Sequence, residues 1–177
     1  MDWREEAISS QHDRANFDCG SEELNDYLRR FARQNHDRGH TKTYVAVPVT
    51  ERFRILGYYS ITLASVDFGA VPESLTKRFP RYPIPAFRLA RLAVHLDLQR
   101  RGLGSGLFFA AGRRCLRAAE EVGGFALLID AKDEAAANWY RRLGAVTLLD
   151  SHSRLIMPLA TISRTMEALA SETTPTE

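Results

Sequence analysis

Between FRLARLAVHL, which reads as a strand, and LFFAAGRRCLRAAEEVG, which reads as a helix, stands QRRGLGSG. This junction limits the possible folds more than any other part of the chain. Three glycines at alternate positions, Gly102, Gly104 and Gly106, follow the pair Arg100–Arg101. Such spacing lets backbone N–H groups approach an anion closely, at the positive end of the helix that follows. A P-loop is excluded, because it needs Gly-Lys and the chain contains no such pair. A dinucleotide fingerprint is incomplete: it would need glycine at Leu107, and the nearest strand-end acid, Asp130, lies beyond the usual ~20-residue spacing. A pyrophosphate cradle and a tight strand-to-helix turn with no ligand both satisfy the spacing.

The flanking sequence supplies one alternating α/β domain. At 177 residues the chain can bury one sizeable core. In SEELNDYLRRFARQNHDRG, Leu24, Tyr27, Leu28 and Phe31 recur as the buried stripe of a helix that Ser21 can cap and Gly39 can stop. KTYVAVPV and ILGYYSITLASV form a hairpin. Pro72, Pro80, Pro83 and Pro85 exclude a regular strand over 70–86 and predict a surface excursion with a short helix around Glu73–Arg78. FALLIDA is an apolar strand, DEAAANWYRRLG a helix, and AVTLL with SRLIMPL a closing strand pair. The expected fold is a single domain over residues 1–170 with a central mixed sheet, followed by a polar, disordered tail at 171–177.

Charge and cysteine content narrow the setting. No run of about 18 apolar residues occurs, and the N-terminus lacks the apolar core of a secretory signal, so a cytoplasmic protein without membrane association is expected. Cys19 and Cys115 form no C-x-x-C pair, and His36 and His40 do not match H-E-x-x-H, so no metal is expected. The net charge is only +2, yet Arg29, Arg30, Arg33, Arg38 and Lys42 surround the single acid Asp37. Lys77, Arg78, Arg81, Arg88 and Arg91 crowd an acid-free segment. These clusters are either an ordinary solvated surface or a basic face for a polyanion.

Gln99-Arg100-Arg101-Gly102-Leu103-Gly104 resembles the Q/R-x-x-G-x-G/A signature of the GNAT superfamily of N-acetyltransferases. The preceding ARLAV is similar to that superfamily's pantetheine-pairing strand, and DEAAANWYRRLGA to its second motif, a helix bearing a tyrosine. NFDCGSEELNDYLRRFARQ and SRLIMPLATI extend the likeness, over about residues 10–165, to the acetyltransferase toxins of bacterial toxin-antitoxin modules. The pattern departs at Asp133, where Asn is common, and at Ala145, where an aromatic is common.

The resemblance implies a GNAT fold, with a mostly antiparallel twisted sheet flanked by helices. It also implies acetyl-coenzyme A as cosubstrate, held by Leu92, Ala93, Val94, Gln99, Arg100, Arg101, Gly102, Leu103, Gly104, Ser105 and Asn138. The implied reaction acetylates the α-amine of aminoacyl-tRNA and so blocks translation. A cognate ribbon-helix-helix antitoxin and a homodimer are further expectations.

The amine would attack the thioester carbonyl, with the oxyanion held by strand N–H groups near Leu92–Val94. A thiol of pKa about 8.5 leaves more readily if protonated, a tyrosine hydroxyl can supply that proton, and the resemblance to the second motif implies Tyr140 as the general acid. Its plain alternative is a packing residue, since Ala136, Trp139, Tyr140 and Leu143 make a helical stripe. If tRNA is the acceptor, Arg29, Arg30, Arg33, Arg38, Lys42, Lys77, Arg78 and Arg81 form a basic rim, and activity falls steeply with added salt. A GNAT enzyme acting on a small-molecule or protein amine, and a non-catalytic nucleotide binder, are the competing functions.

Overall fold

The computed structural model describes residues 2–77 and 79–172. Arg78 and the tail residues 173–177 lie outside the described residues. Seven strands follow the order β1-β2-β3-β4-β5-β7-β6. They are β1 (Trp3–Ala7), β2 (Lys42–Pro48), β3 (Gly57–Val66), β4 (Ile84–Val94), β5 (Ala126–Asp130), β6 (Val146–Thr147) and β7 (Arg154–Pro158). The helices are α1 (Glu22–Asp26), α2 (Ala32–Asp37), α3 (Glu73–Thr76), α4 (Leu103–Val122), α5 (Glu134–Arg142) and α6 (Leu159–Glu172). Among the described residues no helix is long and apolar enough to cross a membrane.

The chain forms two compact units. The first comprises residues through Thr62 together with Leu89–Ala111. Here β1, β2 and the start of β3 make an antiparallel meander, with Glu5 opposite Ala46 and Tyr44 opposite Tyr59. Ile8, Phe17, Leu28, Ala32, Val45, Val47, Ile55, Tyr58 and Ala93 form its core. The predicted single helix is present but interrupted. Tyr27–Phe31 is a π turn, in which the Ala32 N–H donates to the Tyr27 carbonyl five residues back. One inserted residue rotates everything beyond it by about a third of a turn. Ala32 therefore takes the buried position expected of Phe31, whose ring is 50% exposed. Ser21 occupies the N-cap position, but its side chain makes no capping bond. Instead Asn25, buried, accepts from the Cys19 N–H at 3.0 Å and donates to Asp18 at 2.9 Å.

The second unit contains Leu63–Arg88 and the chain from Gly112 onward. Its core joins Val66, Ala70, Val71 and Ile84 to Ala126, Leu128, Leu148 and Ile156. β5 pairs antiparallel with β7, with Leu128 opposite Ile156, and β6 pairs antiparallel with β7. The Phe125 N–H donates to the Pro85 carbonyl at 2.9 Å, and further along Arg88 meets Asp130 at 3.4 Å. That register advances in the same direction on both segments, the parallel arrangement that a helical crossover such as α4 permits. Gly124, at φ +142, ends the turn after α4, where a Cβ would lie 2.5 Å from the Phe87 ring.

Three sequence expectations need correction. β4 begins at Ile84 and includes Pro85, inside the segment from which the prolines exclude strand. Proline forfeits only its own N–H, so a carbonyl-accepting position such as Pro85 can remain in a ladder. β1 lies in what reads as a mixed-charge N-terminus, because Arg4, Glu5 and Glu6 hide its alternation. α6 has no boundary in the sequence, since its start, LATIS, continues directly from β7 without a polar break.

Cys115 is wholly buried on α4, and burial pushes its thiol up to about 12. We expect it to resist iodoacetamide in the native protein and to react only on unfolding, as mass spectrometry of labelled peptides would show.

Candidate active site

The first unit carries the glycine loop. β4 delivers Leu92, Ala93 and Val94, and the His95 N–H donates to the Leu56 carbonyl at 2.9 Å. A short 3-10 turn, Leu96–Leu98, then leads into Gln99. The Gln99 side-chain amide donates to the Cys19 carbonyl at 2.9 Å and the Val94 carbonyl at 3.0 Å. Its backbone N–H closes the 3-10 turn onto Leu96. Gln99 therefore spends its donors on shaping the loop.

Arg100 has φ +62 and Gly102 φ +86, so left-handed residues alternate immediately before α4. Alternation of this kind turns successive N–H groups toward one side as an anion nest. The first helical bond runs from the Gly106 N–H to the Gly102 carbonyl. The N–H groups of Leu103, Gly104 and Ser105, in the first turn, thus have no acceptor within the helix. Twenty residues of α4 put a macrodipole behind them, equivalent to about half a positive charge. Arg100, Arg101 and Gly102 are exposed, while Leu103 is buried. Gly106 serves packing, since a Cβ there would stand 3.0 Å from the Trp3 indole. Sequence spacing alone could not separate its role from that of Gly102.

The second unit carries Tyr140. Asp133 caps α5 by accepting from the Ala136 N–H at 2.7 Å, and the helix ends where Leu143 and Ala145 N–H groups donate to the Tyr140 carbonyl. Tyr140 is 8% exposed and sits edge-on to Trp139, with ring centroids 4.7 Å apart. Burial raises the phenol well above the ordinary tyrosine range. The group is protonated throughout the neutral range, as an unperturbed phenol also is, and that is the state a proton donor needs. Asn138 accepts from Arg141, which also binds Glu134 at 2.7 Å and Thr147 at 3.0 Å.

Raised values at Tyr140 and Cys115 have the same consequence for stability. An unfolded chain loses these protons at lower pH than the folded one, so their contribution is complete below about pH 8.5 and declines above it. Urea denaturation midpoints should accordingly fall as pH rises from about 8.5 to about 11.

The basic residues divide by unit. Arg30, Arg33 and Arg38 meet around one cavity of about 270 Å³, together with Arg14, Gln34 and Asp37. Arg29 pairs with Glu22 and Asp26. Lys42 donates to the His36 carbonyl at 3.0 Å. Lys77 and Arg81 belong to the second unit and are exposed. Arg14 is not foreseeable from the sequence, because a lone arginine in a loop carries no periodic signal.

No protein-family model matches the chain. A "tRNA-acetylating toxin" of Mycobacterium tuberculosis (strain ATCC 25618 / H37Rv) is 35% identical over 133 residues, 75% of this chain and 78% of the relative. Among solved structures, AtaT complexed with acetyl-methionyl-tRNAfMet superposes with TM-score 0.85 at 28% identity, over 95% of this chain and 99% of that one. A Tyr→Phe mutant of AtaT, bound to the C-terminus of the antitoxin AtaR and acetyl-CoA, gives TM-score 0.81 at 26% identity, over 94% and 99% of the two chains. With this sequence identity and shared fold, the chain belongs to the GNAT acetyltransferase toxins.

Proposed function

We propose that this protein transfers the acetyl group of acetyl-coenzyme A to the α-amine of aminoacyl-tRNA, removing that amino acid from translation. The observation that carries the reading is the nest formed by Arg100 and Gly102 at the start of α4. Its charge suits a coenzyme pyrophosphate, with the Leu103, Gly104 and Ser105 amides as donors and Arg100 and Arg101 exposed beside them. Bound acetyl-coenzyme A supplies an activated acyl group on sulfur. Leu92, Ala93 and Val94 would present strand backbone to its carbonyl and pantetheine arm. Tyr140, neutral at physiological pH, would give its proton to the leaving sulfur. The aminoacyl α-amine is less basic than a lysine side chain, so a neutral fraction exists near pH 7 without a dedicated base.

Residues 1–170 would act as one acetyltransferase domain, in the cytoplasm and as a homodimer. A ribbon-helix-helix antitoxin would neutralise it. Support for an antitoxin comes from AtaT, which is captured with the C-terminus of AtaR. The deciding experiment incubates the protein with radiolabelled acetyl-coenzyme A and total charged tRNA, followed by nuclease digestion. Label on aminoacyl-adenosine is expected; label confined to a small amine or a protein would establish the competing GNAT reading instead.

A further inference from the structure

Arg91 immediately precedes Leu92, the first of the β4 residues whose backbone would face the thioester carbonyl, so the two Cα atoms lie about 3.8 Å apart. Its side chain stays beside the strand. Nη1 donates back to the Ala90 carbonyl at 2.7 Å, and the guanidinium carbon lies 5.1 Å from the centroid of the Tyr27 ring. That ring is a fixed platform. It stacks on buried Tyr58 with centroids 6.2 Å apart, and its hydroxyl shares a hydrogen bond of 3.0 Å with the Thr41 hydroxyl. Tyr58 in turn donates to the Leu24 carbonyl at 2.8 Å, which ties α1 to β3. A cation–π contact and a backbone bond thus hold the guanidinium in place.

Much of its donor capacity is left over. Nε is buried and has no hydrogen-bond partner. Among the described residues, Nη2 meets the Glu23 carboxylate, loosely, at 3.6 Å. Glu23 belongs to the first turn of α1 and is 81% exposed, and ion pairs of this kind contribute little, so a ligand can exchange for either partner at small cost. The pair therefore sets a planar fork of donors beside an acceptor-only carboxylate, one residue from the proposed point of acyl transfer.

An α-aminoacyl group is the chemical complement of that pair. Its carbonyl oxygen accepts, its amine donates, and both groups are attached to one carbon atom. A lysine ε-amine or a simple alkylamine carries no such oxygen. We propose that Arg91 donates to the carbonyl oxygen of the acceptor's aminoacyl group while Glu23 accepts from its amine, so that the pair selects α-aminoacyl heads and aims the nitrogen at the thioester. Positive charge grows on that nitrogen as it attacks, so Glu23 favours the transition state over the bound amine. This inference rests on the reading of aminoacyl-tRNA as acceptor, and it concerns contacts to the aminoacyl head alone.

The test follows coenzyme A release by the full-length protein with charged tRNA. Arg91→Gln should lower kcat roughly tenfold to hundredfold, the range for a lost hydrogen bond from a charged donor, with KM for tRNA within about twofold of wild type. Calorimetric affinity for acetyl-coenzyme A should be unchanged. Arg91→Lys keeps the charge without the fork and should recover part of the rate. Glu23→Gln should lose about tenfold in kcat, and because its side chain is exposed it keeps the test open if Arg91→Gln fails to fold. A second arm compares adenosine bearing a 3′-alanyl ester with the 3′-(2-aminopropyl) ether, in which a methylene replaces the carbonyl, at equal concentrations of neutral amine. Wild type should favour the ester by about tenfold or more, and Arg91→Gln should lose that preference. A wild-type kcat in Arg91→Gln or in Glu23→Gln overturns the proposal. So does a loss that Arg91→Lys shares in full, or one accompanied by weaker acetyl-coenzyme A binding, since either marks a disturbed strand. An ester preference that survives Arg91→Gln overturns it as well. The two readings fail separately: charged tRNA acetylated by Arg91→Gln at the wild-type rate refutes the head-group contact alone, whereas a wild-type protein that prefers the ester through Arg91 yet leaves charged tRNA unacetylated refutes the tRNA acceptor alone.

Discussion

Tyr140→Phe should lower kcat for acetyl transfer to aminoacyl-tRNA by about 10²–10⁴-fold while the protein stays folded and still binds acetyl-coenzyme A. The substitution keeps the ring, and with it the edge-on contact to Trp139 at 4.7 Å and the carbonyl that closes α5. Only the hydroxyl is removed. Since a phenol is protonated at every neutral pH, the substitution takes away a donor that was always present there. The effect should fall on kcat, with KM for tRNA little changed, because the proton matters only as sulfur departs. Single-turnover kinetics at saturating coenzyme would make the comparison, and a wild-type rate in the variant would remove Tyr140 from the chemistry. A companion expectation concerns pH: the wild-type rate should show no decline from phenol ionisation below pH about 10.

Gly102→Val should weaken acetyl-coenzyme A binding by about thirtyfold, equivalent to about 2 kcal/mol. The position has φ +86, where a β-branched residue is strained, yet a Cβ there would meet nothing within 4 Å. The effect therefore isolates backbone conformation from steric collision: the chain relaxes to negative φ and the nest loses its alternation. Gly102→Asn, which tolerates left-handed backbone better, should lose much less. Calorimetry on both variants measures the difference. Equal affinities for wild type and Gly102→Val would mean that the nest does not hold the coenzyme.

How legible each feature is depends on whether its cause is local. The glycine loop can be read because strand, left-handed turn and helix start each leave a compositional trace within a few residues. Asp133 as a cap is legible for the same reason. Phe31 departs from its expected burial because a π turn has no sequence signature, and one extra residue shifts the phase of everything after it. Pro85 within β4 depends on which carbonyls and amides its neighbours offer, which is set by the Phe125 partner far along the chain. The arginine cavity is half visible. Helical spacing groups Arg30, Arg33 and Arg38, while Arg14 joins through a single bond to the Arg29 carbonyl. Arg29 looks unpaired in the sequence, whereas Glu22 and Asp26 both reach it from the turns before it.

The Gln99 amide is held by two carbonyls, those of Val94 at the end of β4 and Cys19 just ahead of α1. The glycine loop and the chain just ahead of α1 are therefore tied through a single side chain. A ligand that stiffened that amide would, by linkage, favour one that needs the segment before α1 in place, by the same factor in both directions.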